Sequence, residues 1–179
     1  MSATTQSPAD VAIQWREDEI AARATITETG IIDREKMRTM SGLEVFAAIR
    51  RGELPAPPMG GLLGFVVIEF ERGRVVFQGT PRLEHYNPLG VVHGGYAATL
   101  LDSCVGCAVQ TMLPAGKGYT TLELKVNFIR AMTDKTGPVR AEGKVISVGN
   151  QAGVAEGRLT DASGRLLAFA TTTCLIFPI

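Results

Sequence analysis

The sequence has few cysteines, few histidines and no excess of charge of either sign. Its three cysteines are odd in number and too few for a disulfide framework in a chain of 179 residues. A structural zinc site needs about four ligands, and the two histidines and three cysteines do not provide two ligand pairs at a suitable spacing, so no metal is expected. Eighteen basic side chains balance eighteen acidic ones, so nothing indicates a nucleic acid partner. The composition favours a reducing compartment, and we expect the cytoplasm.

Long uninterrupted apolar runs are also absent. The N-terminal stretch MSATTQSPADVAIQWRED lacks the apolar segment of a secretory signal, and residues 1–7 are expected to be loosely structured. No apolar run reaches the ~18 residues of a membrane span, so a membrane partner is not expected. Because 45% of the residues are hydrophobic, the chain predicts one ordinary soluble domain with a sizeable core.

Against this background one carboxylate is conspicuous. Between His93 and Lys117 the only formally charged side chain is Asp102, and its neighbours one helical turn away are small or apolar. Desolvation disfavours a charged carboxyl group, so we expect the pKa of Asp102 to rise above the usual value of about 3.9. A carboxylate in this setting can serve as a general base. The alternative is that Asp102 caps a loop or pairs with an arginine.

Two glycines precede the same apolar helix. Gly94 and Gly95 are predicted to open it, where the first N–H groups lack intrahelical partners and the helix dipole is positive. Glycine allows a ligand oxygen to come close to these donors, so this turn can form an oxyanion site for a carbonyl under attack. The alternative is a simple tight turn at the helix entry.

The spacing between these groups predicts an assembly. Gly94 and Asp102 are eight residues apart, which along one helix corresponds to ~12 Å at a rise of 1.5 Å per residue. One carbonyl carbon cannot contact both groups across that distance. If both act on the same carbon, they come from different subunits, and the protein is a homodimer with composite sites.

The hydrophobic period indicates an α+β fold. Helical patterns cover Pro8–Ala24 and a short segment that opens with the capping box Ser41-Gly-Leu-Glu44. A proline- and glycine-rich connector follows at 54–61. After it, hydrophobic residues recur at every second position, as in a β-strand. Strands are predicted on both sides of a long helix at about 96–112, namely at 65–71, 74–80, 121–128, 139–147, 152–160 and 165–177.

The motif Asn87-Pro-Leu-Gly-Val-Val-His93-Gly94-Gly95, followed by Asp102, resembles the hotdog-fold acyl-CoA thioesterases of the phenylacetate-pathway (PaaI-like) type. The resemblance implies a long central helix wrapped by a six-stranded antiparallel sheet, and homodimers or homotetramers with composite sites. It covers a hotdog domain at 54–179 and leaves residues 1–53 as an N-terminal helical extension. It implies hydrolysis of an acyl-CoA, with an aromatic acyl group as one option, to free acid and coenzyme A without a cofactor.

The resemblance also implies roles for individual residues. The backbone N–H of Gly94, beside Gly95, polarises the thioester carbonyl, and Asp102 of the other subunit acts as general base or as nucleophile. Asn87 occupies the position of a polar side chain that contacts the substrate or the lytic water. Thr121 matches a position that orients water in some members, and the position of His93 mainly shapes the turn.

The chain departs from this family where many members carry a basic pair after the fourth strand. This sequence has Gly-Asn-Gln-Ala at 149–152 instead. The phosphates of coenzyme A attract arginine and lysine, so the nucleotide end requires other cations. Arg130 and Lys117 are the candidates, with Arg140 behind them.

Three other interpretations are weaker. Cys104 and Cys107 have C-x-x-C spacing but lie in the middle of an apolar helix, where redox pairs do not occur, so they are read as buried small side chains. Ser103 lacks the G-x-S-x-G elbow of serine hydrolases. Two rival functions stay open: a hotdog hydratase or dehydratase that uses His93, and a non-catalytic acyl-CoA-binding module that would not need Asp102.

Overall fold

The structure is a computed structural model that describes residues 7–179. The segment predicted to be loose, 1–7, therefore lies outside this range apart from Ser7. The helices are α1 (Pro8–Ala24), α2 (Arg34–Thr39), α3 (Gly42–Arg50), α4 (Pro58–Leu63) and α5 (Gly94–Gln110). The strands are β1 (Phe65–Glu71), β2 (Arg74–Gly79), β3 (Lys117–Phe128), β4 (Val139–Val148), β5 (Ala152–Asp161) and β6 (Leu166–Pro178).

The six strands form one antiparallel sheet in the order β1-β2-β4-β5-β6-β3. Helix α5 packs against one face of this sheet and contacts β2, β3, β4, β5 and β6. The predicted α+β hotdog architecture is confirmed. Its topology leaves β3 as an edge strand, while the opposite edge strand, β1, is flanked by α3 and α4.

Glycines in the central strands let α5 approach the sheet closely. A Cβ atom added to Gly143 of β4 would lie 2.2 Å from the backbone oxygen of Cys104. One added to Gly157 of β5 would lie 2.6 Å from Cγ1 of Val105. Larger residues at these positions would push the helix outward, because protein interiors have no spare volume. Neither α5 nor any other helix in the described range is long and apolar enough to cross a membrane.

The N-terminal helix α1 lies on the outer face of the sheet and is held there by a polar cluster. The buried Gln78 of β2 donates from Nε2 to the backbone oxygen of Trp15 at 2.6 Å. Its Oε1 accepts from Nε of Arg140 at 2.9 Å. The Arg140 guanidinium also pairs with Asp18 and stacks over the Trp15 ring at 4.5 Å. Buried polar groups need such partners, and here they attach the extension to the sheet.

Most predicted elements agree with the structure. The helix over Pro8–Ala24, the capping box at Ser41 and the hairpin around the glycine turn at Gly73 (φ 80°) are confirmed. The strand bounds shift by at most a few residues. The prediction of a connector over all of 54–61 is wrong in its second half, which belongs to α4. This helix has Pro58 in its first turn and is capped by Gly64 in the left-handed region.

Candidate active site

The carboxylate of Asp102 meets a hydroxyl group from the edge strand. Asp102 lies on α5 and is half-buried, and Oγ1 of Thr121 on β3 donates to its Oδ1 at 3.0 Å. Within residues 7–179 no lysine, arginine or histidine forms a salt bridge with Asp102. The structure therefore brings two predicted site residues together and gives no arginine partner. One carboxylate oxygen of Asp102 therefore accepts from the Thr121 hydroxyl.

The start of α5 offers one free backbone donor. His93 is the N-cap, and its Nδ1 accepts from the Gly95 N–H at 2.8 Å. The Gly95 N–H is thus used inside the protein, which removes it from the predicted pair of oxyanion donors. The Gly94 N–H has no acceptor in the part of the chain that the structure describes. A free N–H at the positive end of a 17-residue helix is suited to bind a developing oxyanion.

The turn before α5 is held rigidly in place. The backbone N–H of His93 donates to the oxygen of His85 at 2.7 Å, and that of Val92 donates to the oxygen of Met132 at 2.9 Å. His85 stacks on Tyr96 with ring centroids 4.2 Å apart, and burial lowers the pKa of His85. The neutral His85 ring therefore packs beneath the turn without a buried charge. These contacts fix the direction of the Gly94 N–H, as a preorganised donor requires.

A cavity of about 350 Å³ lies beside Gly94. The ring of Phe128, at the end of β3, rests on this glycine, and a Cβ atom added to Gly94 would lie 3.1 Å from the ring. Arg130 also lines the cavity, with Nη1 donating to the backbone oxygen of Leu166 at 2.6 Å. The remaining lining is mainly apolar: Val92, Ala97, Ile129, Ala131, Met132, Leu167 and Ala168. Such a site can take an apolar acyl group next to the donor.

Asn87 forms a tight turn shortly before α5. Its Oδ1 accepts from the backbone N–H of Leu89 at 2.9 Å, and its own N–H donates to the oxygen of Val91 at 2.8 Å. The side-chain oxygen is therefore part of an Asx turn, which asparagine commonly forms. The side-chain amide nitrogen, Nδ2, has no partner within residues 7–179. A substrate contact from that nitrogen stays a prediction.

The three predicted phosphate-binding cations lie in different places. Arg130 shares the cavity with Gly94. Lys117 begins β3, and Phe128 ends it, so the 12-residue strand separates Lys117 from Gly94 by roughly 36 Å within one subunit at ~3.3 Å per residue. Arg140 is engaged by Asp18 and Gln78, as described above. Only Arg130 is placed near the candidate site of its own subunit.

The two cysteines of the C-x-x-C spacing are buried thiols. Cys104 is fully buried in the core, and burial raises its pKa well above the ordinary thiol value. Burial also raises the pKa of Cys107 to about 12. Redox and zinc chemistry need the thiolate, so neither thiol is suited to it. In the described residues no group of three His, Cys, Asp or Glu side chains is arranged to hold a metal ion.

The sequence did not single out Phe128, although it lines the cavity. Its only signal was its place as the last apolar residue of an alternating strand, and it is 58% exposed. Met132 and Leu167 also reach the cavity, from positions far apart in sequence. No local pattern marks such residues, because the fold brings them together.

Comparisons with known proteins show which family this chain resembles. A model of the thioesterase superfamily matches residues 89–168. A proposed esterase of Saccharolobus solfataricus is 38% identical over 104 residues, with 58% of this chain and 72% of the relative covered. A 1,4-dihydroxy-2-naphthoyl-CoA hydrolase of Listeria monocytogenes is 23% identical, with 64% of this chain and 91% of the relative covered.

Solved structures give the same result. A proposed thioesterase from Ralstonia eutropha, described as related to phenylacetic acid degradation, superimposes with a TM-score of 0.67 at 30% identity. It covers 73% of this chain and 98% of its own. The PaaI protein of the Escherichia coli phenylacetic acid degradation operon superimposes with a TM-score of 0.62 at 20% identity, covering 67% of this chain and 84% of its own, which supports the fold.

Proposed function

Because this chain belongs to the thioesterase superfamily of hydrolases, we propose that it hydrolyses an acyl-CoA thioester to the free acid and coenzyme A. The observation that carries the proposal is the unpaired Gly94 N–H at the start of α5, which opens onto an apolar cavity. The tetrahedral intermediate of thioester hydrolysis needs such a donor for its oxyanion.

The second group of the proposed mechanism is the carboxylate of Asp102 from the partner subunit. Within one helix Asp102 and Gly94 remain ~12 Å apart, so a single subunit does not present both to one carbon. In one route the carboxylate takes a proton from water as the water attacks the carbonyl carbon. In the other it attacks that carbon itself, releases coenzyme A, and forms an anhydride that water then cleaves.

The proposed assembly is a homodimer formed through β3. This edge strand has a free row of backbone groups, and its side chains Leu122 and Phe128 are 61% and 58% exposed. Exposed apolar edge strands pair readily with another chain. A two-fold axis between Leu124 and Lys125 of β3 would set Phe128, and with it Gly94, opposite Thr121 of the partner subunit. The Gly94 N–H of each subunit would then face the Asp102 carboxylate of the other subunit, to which Thr121 donates.

The proposed acyl group is aromatic. Two of the similar proteins support this choice by name, since one acts on a naphthoyl-CoA and another is related to phenylacetic acid degradation. The cavity supports it independently, because Phe128 and Met132 offer flat and polarisable contacts to a ring. Arg130 at the same cavity is the proposed contact for a phosphate of coenzyme A.

The proposed location is the cytoplasm. All three cysteines are free thiols, and free thiols persist in a reducing compartment. The rival hydratase mechanism gains no support from His93, because Nδ1 of its ring is used as the helix cap.

Free-thiol release from a panel of aryl- and alkyl-CoA esters tests the proposed function. We expect turnover by the wild-type protein, with aryl esters preferred by kcat/KM, and a mass in light scattering of about twice the 19.1 kDa chain. Binding of acyl-CoA without hydrolysis of any ester would instead support the non-catalytic binding module. The alkyl esters serve as the matched control for the aromatic preference.

A further inference from the structure

A second cavity lies between the N-terminal extension and the edge strand β1. Its volume is about 280 Å³, and it shares no lining residue with the cavity at Gly94. We call it the extension cavity. Helices α1, α3 and α4 and strands β1 and β2 form it with a mostly apolar lining: Ala22, Ile26, Phe46, Ile49, Ala56, Phe65, Val66, Val67, Phe70 and Phe77. Four of these residues precede the 54–179 segment that resembles the thioesterase domain, and Ala56 lies at its border.

The polar part of the lining is cationic. It includes Arg23 and Arg50 and contains no aspartate or glutamate. Arg23 is neutralised by Glu19 at 2.8 Å, one helical turn earlier on α1. Arg50 forms no salt bridge with any residue in the described range, although it is half-buried. The extension cavity therefore has one uncompensated positive charge at an apolar wall.

The Arg50 guanidinium is fixed in position but has donors left over. Nη2 donates to the backbone oxygens of Val67 and Ile68 at 3.1 and 2.5 Å. The guanidinium carbon lies 5.7 Å from the centre of the Phe70 ring. Nε and Nη1 have no protein acceptor within residues 7–179. A half-buried cation is costly without an anion, and these two donor groups remain available to one.

We propose that the extension cavity binds a small monocarboxylic acid whose body is apolar, with the carboxylate on Arg50 and the body against Phe46, Phe65 and Phe70. With Nη2 engaged, Nε or Nη1 can donate one charge-assisted hydrogen bond to a carboxylate oxygen, while the apolar wall selects against a hydrated anion such as phosphate. The proposal does not depend on the proposed hydrolysis. The acid is either a product of this enzyme or another small organic acid.

The test is isothermal titration calorimetry of the purified full-length protein without acyl-CoA. The probes are 2-naphthoate, octanoate and the uncharged 2-naphthamide. We expect the two acids to bind and the amide to bind at least tenfold more weakly, because the amide carries no negative charge to pair with the Arg50 guanidinium. Tighter binding of naphthoate indicates an aromatic ligand, and tighter binding of octanoate indicates an aliphatic one. The acid that the enzyme releases from its preferred ester is then titrated in the same way. Its binding or lack of binding shows whether the ligand of the extension cavity is the reaction product.

Four variants, one of them a control, locate the binding. Arg50→Gln should weaken binding of the acid by about 10- to 100-fold, whereas Arg50→Lys should recover part of the loss. Arg51→Gln is the matched control, since Arg51 is 56% exposed and pairs with Glu53 outside the cavity. Gly61 also lines the cavity, and a Cβ added there meets no atom within 4 Å, so Gly61→Phe should fill the space and abolish binding.

Binding at the candidate active site would give a different result. In that case Asp102→Asn would alter the affinity for the acid, and Arg50→Gln and Gly61→Phe would leave it unchanged. An unchanged affinity in Arg50→Gln, with circular dichroism showing the variant folded, would overturn the proposal. So would the absence of any binding by the wild-type protein at millimolar acid.

Discussion

The substitution Gly94→Pro removes a single N–H and is designed so that the fold tolerates it. Gly94 is the first residue of α5, a position where proline is favoured because its N–H has no intrahelical acceptor. His93 has φ −60° and ψ 136°, the extended conformation that a residue before proline prefers. The variant should therefore fold and dimerise, while the proposed oxyanion donor is lost.

The expected loss follows from the value of one such donor. Removal of one oxyanion-hole hydrogen bond typically lowers kcat by about 10²–10³, which corresponds to about 2.7–4 kcal/mol. We expect a loss of this size in initial rates of thiol release at saturating aryl-CoA. KM should change little, because the donor acts mainly on the transition state.

Gly94→Ala is the matched control for this experiment. Both substitutions place a Cβ about 3.1 Å from the ring of Phe128, and both therefore displace this exposed side chain. Only the alanine variant keeps the N–H, whereas proline replaces it with Cδ, so the ratio of the two rates reports the loss of the donor position. A proline variant whose kcat stays within about threefold of the alanine variant would refute the assignment of the oxyanion site.

Three further predictions concern the carboxylates of the fold. Asp102→Asn can still accept from the Thr121 hydroxyl, so it should fold but lose about 10² or more in kcat, measured by thiol release. Thr121→Val should lower kcat by about tenfold through loss of the bond that orients Asp102, and Thr121→Ser should restore the rate. The third prediction concerns Asp161, which is buried at the turn between β5 and β6. Burial alone would raise its pKa, but hydrogen bonds from Ser163 and Arg165 outweigh this and hold the pKa below the usual value. A lowered folded-state pKa stabilises the protein above the ordinary carboxyl pKa, and this contribution is lost as the pH falls through the lowered value. Asp161→Asn should thus lower the free energy of unfolding, measured with urea at pH 7, by about 1–3 kcal/mol. The difference in this free energy from wild type should shrink toward pH 2. An equal difference at both pH values would contradict this explanation.

Local patterns were sufficient to predict most of the fold. The alternation of residues 121–128 predicted the strand that became β3, and the capping box at Ser41 predicted the start of α3. Such signals depend on neighbours in sequence, so they are visible without the structure. The short helix α4 was missed although proline at its start and Gly64 at its end are helix-boundary signals. A proline-rich run is equally typical of a connector.

Long-range contacts could not be predicted from the sequence. Arg140 looked like a candidate for phosphate binding, yet it joins Asp18, a residue 122 positions away. The commitment of the Gly95 N–H to His93 depends on the conformation of the turn, which the residue types alone do not define. The motif placed Asp102 and Gly94 correctly on one helix, whereas the hydroxyl partner of Asp102 was suggested only by the family resemblance.

The proposed mechanism requires that the donor and the carboxylate of each active site come from different subunits. Co-expression of Asp102→Asn and Gly94→Pro chains with two different affinity tags, followed by tandem purification, yields the mixed dimer. In that dimer one site combines the intact Gly94 of the first chain with the intact Asp102 of the second, and the other site has lost both. We expect the mixed dimer to regain about half of the wild-type kcat per dimer, while each homodimer of a variant stays near background. A mixed dimer as inactive as the two variant homodimers would place both groups in the same subunit and contradict the account.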